Sequence, residues 1–247
     1  ERKYERTMSF SQFAKELKEA AEKGIGYTLK NCYVTYNPLI DKKYVLYTSK
    51  DDTNTFVGDM IVKGVKFNDT SEVTIKNCKF GERAKDWTTT ITFEDCSFGE
   101  LHLLYNDINS ITIKKVDAHK LRVLNIPSWN LQKKEGIFFN QSFSYSLNIY
   151  IDSSKIWRSI LQNHPNNDTK DDDEISLIGL KGNDISFCEI TSHEKGEIKA
   201  SGNSFGALVV QSKIPGTSYN KPIHAVWVTE NKFKSGLANF GQCYYQY

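Results

Sequence analysis

The sequence of 247 residues is informative first through what it has little of. No apolar run approaches the roughly 18 residues that a membrane-spanning helix needs, so no bilayer-crossing helix is expected. An excess of one charge is also missing. Thirty-two Lys and Arg stand against thirty Asp and Glu, a net charge of +2, which excludes a general nucleic-acid-binding surface. With 15 Gly and 5 Pro the chain is neither collagen-like nor of low complexity. Its 5 Cys are an odd number and form no CxxC pair, so a closed set of disulfides cannot use them all. They read as buried free thiols, which favours a reducing compartment. A cytoplasmic location is expected, with a periplasmic or secreted one as the alternative. Phosphate-cradling glycine loops and Gly-x-Ser-x-Gly elbows are absent from the sequence. The five histidines, at 102, 119, 164, 193 and 224, have no metal-ligand spacing to Cys or carboxylate. No cofactor and no metal is expected.

What is present is aromatic and periodic. Aromatic residues make up 13% of the chain, which suits strands better than a helical bundle. The first residues are the exception. Met8, Phe10, Phe13, Ala14, Leu17, Ala20 and Ala21 recur at three- and four-residue spacing, which predicts an amphipathic helix. Ser9 or Ser11 supplies the N-cap, and Lys23-Gly24 the stop. Residues 1–26 are therefore expected to cap one end of a sheet stack or to connect it to something upstream. Glu1 follows no initiator Met or signal-peptide core, so the chain is expected to be a piece of a longer bacterial protein.

From residue 27 onward the chain reads as a degenerate repeat. Val73–Phe80, Ile91–Phe98, Ile111–Ala118, Ile198–Phe205 and Val226–Phe233 share a pattern: apolar, x, apolar, x, x, small, x, aromatic. Met60–Phe67, Ile185–Ser192 and Tyr27–Val34 are weaker copies. In this unit alternate residues point inward, and Asn77, Asp95 or Gly202 bends the chain in left-handed backbone geometry. Cys78, Cys96, Val116, Asn203 and Asn231 then occupy one inward column, and Phe80, Phe98, Phe205 and Phe233 another. The two Asn are expected to hydrogen-bond along their column. Lys76, Glu94 and Lys114 would form an outward ladder of alternating charge.

The segments VTIKNCKF, ITFEDCSF and IKASGNSF resemble rungs of right-handed parallel β-helix proteins of the pectin-lyase-like superfold. CSFGEL, VDAHKL and NSFGAL also resemble divergent pentapeptide repeats, although the strict five-residue step is not kept. The resemblance spans roughly residues 27–240. It implies an all-β, right-handed parallel β-helix over residues 27–247, with insertions near 36–59 and 125–175 and the capping α-helix ahead of it. Within the second insertion, 138–151 alternates like further rungs, 155–162 (KIWRSILQ) has a short helical spacing, and 163–174 reads as a solvated loop tip.

Relatives of pectin-lyase-like fold are often polysaccharide lyases or hydrolases, with acidic Ca²⁺ ligands and an Arg or Lys base on an outward face. Here the outward positions Thr74, Thr92, Thr112, Ser186, Lys199 and Trp227 carry no paired carboxylates. Asp95, Asp117 and Arg122 come nearest to a catalytic set. The acidic run with Asp168, Asp171, Asp172 and Asp173 is the nearest to a Ca²⁺ site, but lacks the spacing of a binding loop. Tyr33, Tyr36, Tyr44, Tyr47, Trp227, Tyr244 and Tyr245 lie toward the ends of the repeat and suit protein or sugar contacts. The leading reading is a non-catalytic binding or scaffolding domain that meets a protein partner or another domain of its own protein. A carbohydrate-active or glycan-binding secreted protein is the alternative. Clustered acids with a base, together with disulfides, would favour that alternative.

Overall fold

A computed structural model describes residues 4–37, 39–41, 46–47, 54–56, 58–76, 78–80, 90–106, 108–125, 147–163, 175–212 and 221–241. It is mostly β, with parallel sheets and one helix. Strand β1 (Arg6–Ser9) leads into helix α1 (Phe10–Glu22). After it come β2 (Tyr27–Lys30), β3 (Cys32–Thr35), β4 (Leu46–Tyr47), β5 (Asn54–Phe56), β6 (Met60–Lys63), β7 (Lys66–Phe67), β8 (Glu72–Lys76) and β9 (Cys78–Phe80). Longer pairs follow: β10 (Thr90–Glu94) with β11 (Ser97–Leu104), β12 (Ser110–Lys114) with β13 (Asp117–Leu124), and β14 (Asn148–Asp152) with β15 (Lys155–Gln162). The last three pairs are β16 (Ser176–Lys181) with β17 (Asp184–Thr191), β18 (Gly196–Ser201) with β19 (Ser204–Gln211), and β20 (Ala225–Thr229) with β21 (Lys232–Phe240).

The pairing explains the repeat. One sheet runs β2-β6-β10-β12-β14-β16-β18-β20, and the other runs β1-β3-β7-β11-β13-β15-β17-β19-β21, every neighbour parallel. Each unit thus contributes a short strand to the first sheet, turns, and contributes a second strand to the other. The turn sits at a residue with positive φ: Asn31 (46°), Gly64 (65°), Asp95 (56°), Lys115 (51°), Ser153 (51°), Gly182 (63°), Gly202 (63°) and Glu230 (58°). The ladder continues through these corners, because the corner N–H donates to the next unit's carbonyl. Asp95 N–H reaches Lys114 O at 2.8 Å, and Ser153 N–H reaches Lys181 O at 2.9 Å.

Inside the stack, alternate side chains form columns. Met60, Ile91, Ile111, Ile149, Ile178 and Ile198 make one column, all essentially without solvent contact. Burying an aliphatic side chain in this way stabilises by about 1.5–3 kcal/mol each before chain entropy is counted. Across the corner, Phe67 stacks on Phe98 (4.6 Å) and Phe205 on Phe233 (5.7 Å).

Helix α1 closes the β2/β3 end. The Ser9 side chain accepts from Gln12 N–H at 3.1 Å, so Ser9 rather than Ser11 is the cap. Gly24, at φ 62°, donates to Ala21 O, and Ile25 N–H donates to Ala20 O. These are the paired bonds of a left-handed helix stop, where a glycine avoids the Cβ penalty. The apolar face buries Phe10, Phe13, Leu17, Ala20 and Ala21, with the Phe13 ring edge-on to Phe67 at 5.1 Å.

Several expectations are corrected. Val73–Phe80, the clearest copy by sequence, is out of register with the rest: Val73 lies opposite Leu101 in the other sheet, while Ile91 has Met60 and Ile111 as neighbours. Strand β9 therefore pairs with β5 in a small sheet of its own, Cys78 staying buried but out of line with Cys96, and Lys76 leaves the charge ladder, where Lys63 bonds Glu94 at 3.0 Å instead. Thr74 is likewise buried beside His102 rather than in line with Thr92. The Ile185–Ser192 copy is strand β17, and the true unit begins at Ile178. KIWRSILQ is strand β15, not helix, because its neighbours on both sides are strands that extend its ladder. Asn77, residues 126–146 and residues 164–174 lie outside the described residues.

Candidate functional site

The outward face of the second sheet gathers the polar chemistry. Each of its strands β13, β15 and β17 breaks alternation once, placing two successive side chains outward: His119-Lys120, Trp157-Arg158 and Ser186-Phe187. Trp157 is 56% exposed. His119 stacks on it, ring centroids 4.7 Å apart and planes 5° from parallel, so the two rings form one aromatic platform standing on the sheet. Arg158 follows in the chain with its guanidinium 5.4 Å from the Phe187 ring, and Lys120 is its partner on the neighbouring strand.

Beside this platform, two rows cross the strands. One runs Glu72–Glu100–Lys120–Arg158, the other Thr74–His102–Arg122–Ile160. His102 is only 5% exposed, with Nε2 2.8 Å from Glu100 Oε2 and Nδ1 3.9 Å from Glu72 Oε1. Burial and the neighbouring Arg122 push the His102 pKa down, against the pull of Glu100, so the ring is neutral near pH 7. The short contact is then Nε2–H donating to Glu100. Burial pushes Glu100 up, but the bonds from His102 and Lys120 (3.6 Å) outweigh it and hold the carboxyl below its usual range. Among the described residues neither Arg122 nor Arg158 forms an ion pair.

The expected sets are only partly assembled. Arg122 joins the cluster, but Asp117 starts the same strand about 16 Å away, and Asp95 is a corner residue. Tyr33 and Tyr36 are half-buried at the helix-capped end, Tyr33 near Tyr4 (6.0 Å) and Tyr36 edge-on to Phe10 (5.3 Å). Trp227 is 45% exposed on β20, with Lys199 Nζ 4.9 Å from its ring. Only the backbone of Tyr47 is described. Tyr44, Tyr244, Tyr245, Asp168, Asp171, Asp172 and Asp173 lie outside the described residues. Glu72, Glu100, His102, His119, Trp157 and Arg158 are the residues that sequence reasoning missed. One signal was available: Glu100-x-His102 and Lys120-x-Arg122 repeat at the same 20-residue offset as Ile91 and Ile111.

A second constellation resembles a nucleophile pair but cannot act as one. Ser176 Oγ lies 2.6 Å from His193 Nε2, yet His193 Nδ1 accepts from Lys195 N–H at 3.2 Å. A neutral ring bonded in this way carries its proton on Nε2, so the imidazole donates to Ser176 instead of taking its proton. Both side chains are buried. The thiols are withdrawn as well: Cys32, Cys78, Cys96 and Cys188 are buried and outside any disulfide, and burial pushes Cys96 and Cys188 up to about 12. Among the described residues no group of three or more His, Cys, Asp or Glu is placed to hold a metal ion, and no helix is long and apolar enough to cross a membrane. No family model matches the chain, and no curated protein and no solved structure is found to be similar to it.

Proposed function

We propose that this chain is a right-handed parallel β-helix domain serving as a non-catalytic binding or scaffolding module of a larger bacterial protein, located in the cytoplasm. Parallel strands that return to the same sheet are joined with right-handed connections in about 98% of cases, which supports the handedness. Stacked units build long, regular surfaces suited to macromolecular contact. The observation that carries the function is the exposed His119–Trp157 stack flanked by Lys120, Arg122 and Arg158, the two arginines having no carboxylate partner among the described residues. An exposed aromatic stack beside a cluster of cations fits a partner that brings negative charge. The buried cysteines among the described residues form no disulfide, which supports a reducing compartment.

One observation favours the carbohydrate-active alternative: Glu72, Glu100, His102 and Arg122 bring acids and a base together on one outward face. Against it, His102 is buried, and its Nε2 proton is committed to Glu100. Calorimetric titration of acidic peptides and acidic oligosaccharides against the wild type and a Trp157→Ala/Arg158→Ala variant separates the two readings. Binding that the variant weakens about tenfold or more, with the ligand recovered intact, is expected. Cleavage of an oligosaccharide that is lost in His102→Gln would replace the scaffold reading with the enzymatic one.

A further inference from the structure

The two ends of the stack differ. At the β2/β3 end, helix α1 and strand β1 cover the core and pair the edge. At the other end, β20 and β21 are the last strands of their sheets, and among the described residues nothing pairs with their outer edges. Val226, Phe233 and Phe240 there are only partly buried, and Leu237 is 51% exposed, whereas Ile198, Phe205, Leu208 and Val210 one layer below are fully buried.

The corner column says what this end fits. Ser154 N–H donates to Asn183 Oδ1 (2.8 Å), Asn183 N–H to Asn203 Oδ1 (2.9 Å), and Asn203 N–H to Asn231 Oδ1 (2.8 Å). The amide nitrogens of Asn183 and Asn203 also donate forward, to the Oδ1 of the next Asn, at 2.9 and 2.8 Å. In these three layers the corner N–H thus takes a side-chain oxygen from the following layer. Asn231 is the last member of this ladder among the described residues: its Nδ2 donates back to Ala200 O at 2.8 Å, as Asn203 Nδ2 does to Leu180 O, and to Thr229 O of its own unit at 3.0 Å.

We propose that the β20/β21 end is a docking edge for one further strand–corner–strand segment from another polypeptide, added in parallel register and carrying Asn, Asp or Ser at its corner. A second copy of this chain does not fit. Its helix-capped end is covered by α1 and β1, and two β20/β21 ends meeting face to face would set two Asn231 corners against each other, which is not the head-to-tail order of the ladder. The edge itself is receptive. Ala225–Thr229 carries no charge, proline or bulge, and Leu237–Phe240 keeps register with Ala207–Val210. The bulge at 234–236 is folded outward, Lys234 Nζ holding Asp184 at 2.7 Å, which takes that lysine off the edge.

The test uses the whole chain and a synthetic peptide copying residues 196–211, the chain's own unit with Asn203 at the corner, beside the same peptide with Asn203→Leu. Amide hydrogen exchange is read along β20, at Asn231 and along 237–240. The Asn peptide is expected to slow exchange at these positions about tenfold or more, and the Leu peptide about twofold or less. Val228→Pro in the protein should abolish the effect while leaving exchange in β12–β17 unchanged. No slowing at about 1 mM peptide, or equal slowing by both peptides, overturns the proposal. Protection that rises with protein concentration alone, together with a doubled mass, overturns it in favour of a second copy.

Discussion

The corner column is one backbone solution built with two chemistries. In the half nearer the helix it reads Cys32, Val65, Cys96 and Val116, apolar side chains that pack and ask for nothing from the next layer. In the other half it reads Ser154, Asn183, Asn203 and Asn231, linked layer to layer by hydrogen bonds. The left-handed corner before each residue is the same in both halves. A repeat is thus defined by backbone geometry and burial rather than by residue identity, which is why its copies look degenerate. The halves should differ in what they tolerate. An apolar column absorbs changes of shape, whereas an amide ladder that loses one member leaves buried donors on both sides.

The largest effect should come from forcing the second chemistry on the first half. Cys96→Asp buries a charge where Cys96 Sγ now meets the Val62 and Glu94 carbonyls (3.3 and 3.2 Å), at a cost of several kcal/mol or more. The expected result is loss of the folded signal by circular dichroism at 25 °C, and an unchanged Tm would place Cys96 outside the core. Next, Asn203→Leu removes the acceptor for Asn183 N–H and Nδ2 and the donor to Leu180 O, costing about 3 kcal/mol in urea unfolding. Cys96→Val should cost about 1 kcal/mol or less by the same assay. Equal costs would erase the distinction between the halves. Smaller still is the corner backbone. Gly202 sits at φ +63°, and a Cβ there would meet nothing within 4 Å, so Gly202→Ala should cost about 1 kcal/mol through the backbone alone. Lys115→Gly, at φ 51°, should gain up to about 1 kcal/mol. The weakest effect is set by pH. His102 has its folded pKa lowered below 6.5, so below that value the unfolded chain takes up the proton first, and stability falls with pH. Glu100, held below 4.5, adds its loss only as pH falls through its lowered value. Tm measured at pH 7.5 and 5.5 should drop, and His102→Gln should remove part of that drop.

Local patterns were legible in the sequence where local physics decides them. The helix, its Ser9 cap and its Gly24 stop follow from spacing and capping alone. So does the strand–corner–strand unit, down to the bonded Asn pair, which Asn183 extends to a third member. Register was not legible for Val73–Phe80, because its alternation satisfies the same local pattern while its neighbours are chosen by distant strands. KIWRSILQ misled for a different reason. Ile156, Ile160 and Leu161 imitate a helical spacing, but Ile160 lies in the outward row beside Arg122, and the successive outward residues Trp157 and Arg158 break the strand's alternation. The same break hid the His119–Trp157 platform, since a helix would not have set Trp157 against the neighbouring strand. The Glu100–His102–Arg122 cluster lies beyond the aromatic residue that ends the repeat motif, where nothing in the motif constrains the sequence.

The layer register is the claim on which the columns, the site and the docking edge all depend, and a disulfide trap tests it directly. Thr92 and Thr112 are opposite each other on adjacent parallel strands, whereas Thr74 belongs to the other sheet beside His102. Neighbouring strands lie about 4.8 Å apart, within disulfide reach, and packed sheets about 10 Å. Under mild oxidation, Thr92→Cys/Thr112→Cys should cross-link fully and Thr74→Cys/Thr92→Cys should not. A cross-link between positions 74 and 92 as complete as that between 92 and 112 would restore the register suggested by the sequence repeat and contradict the one described.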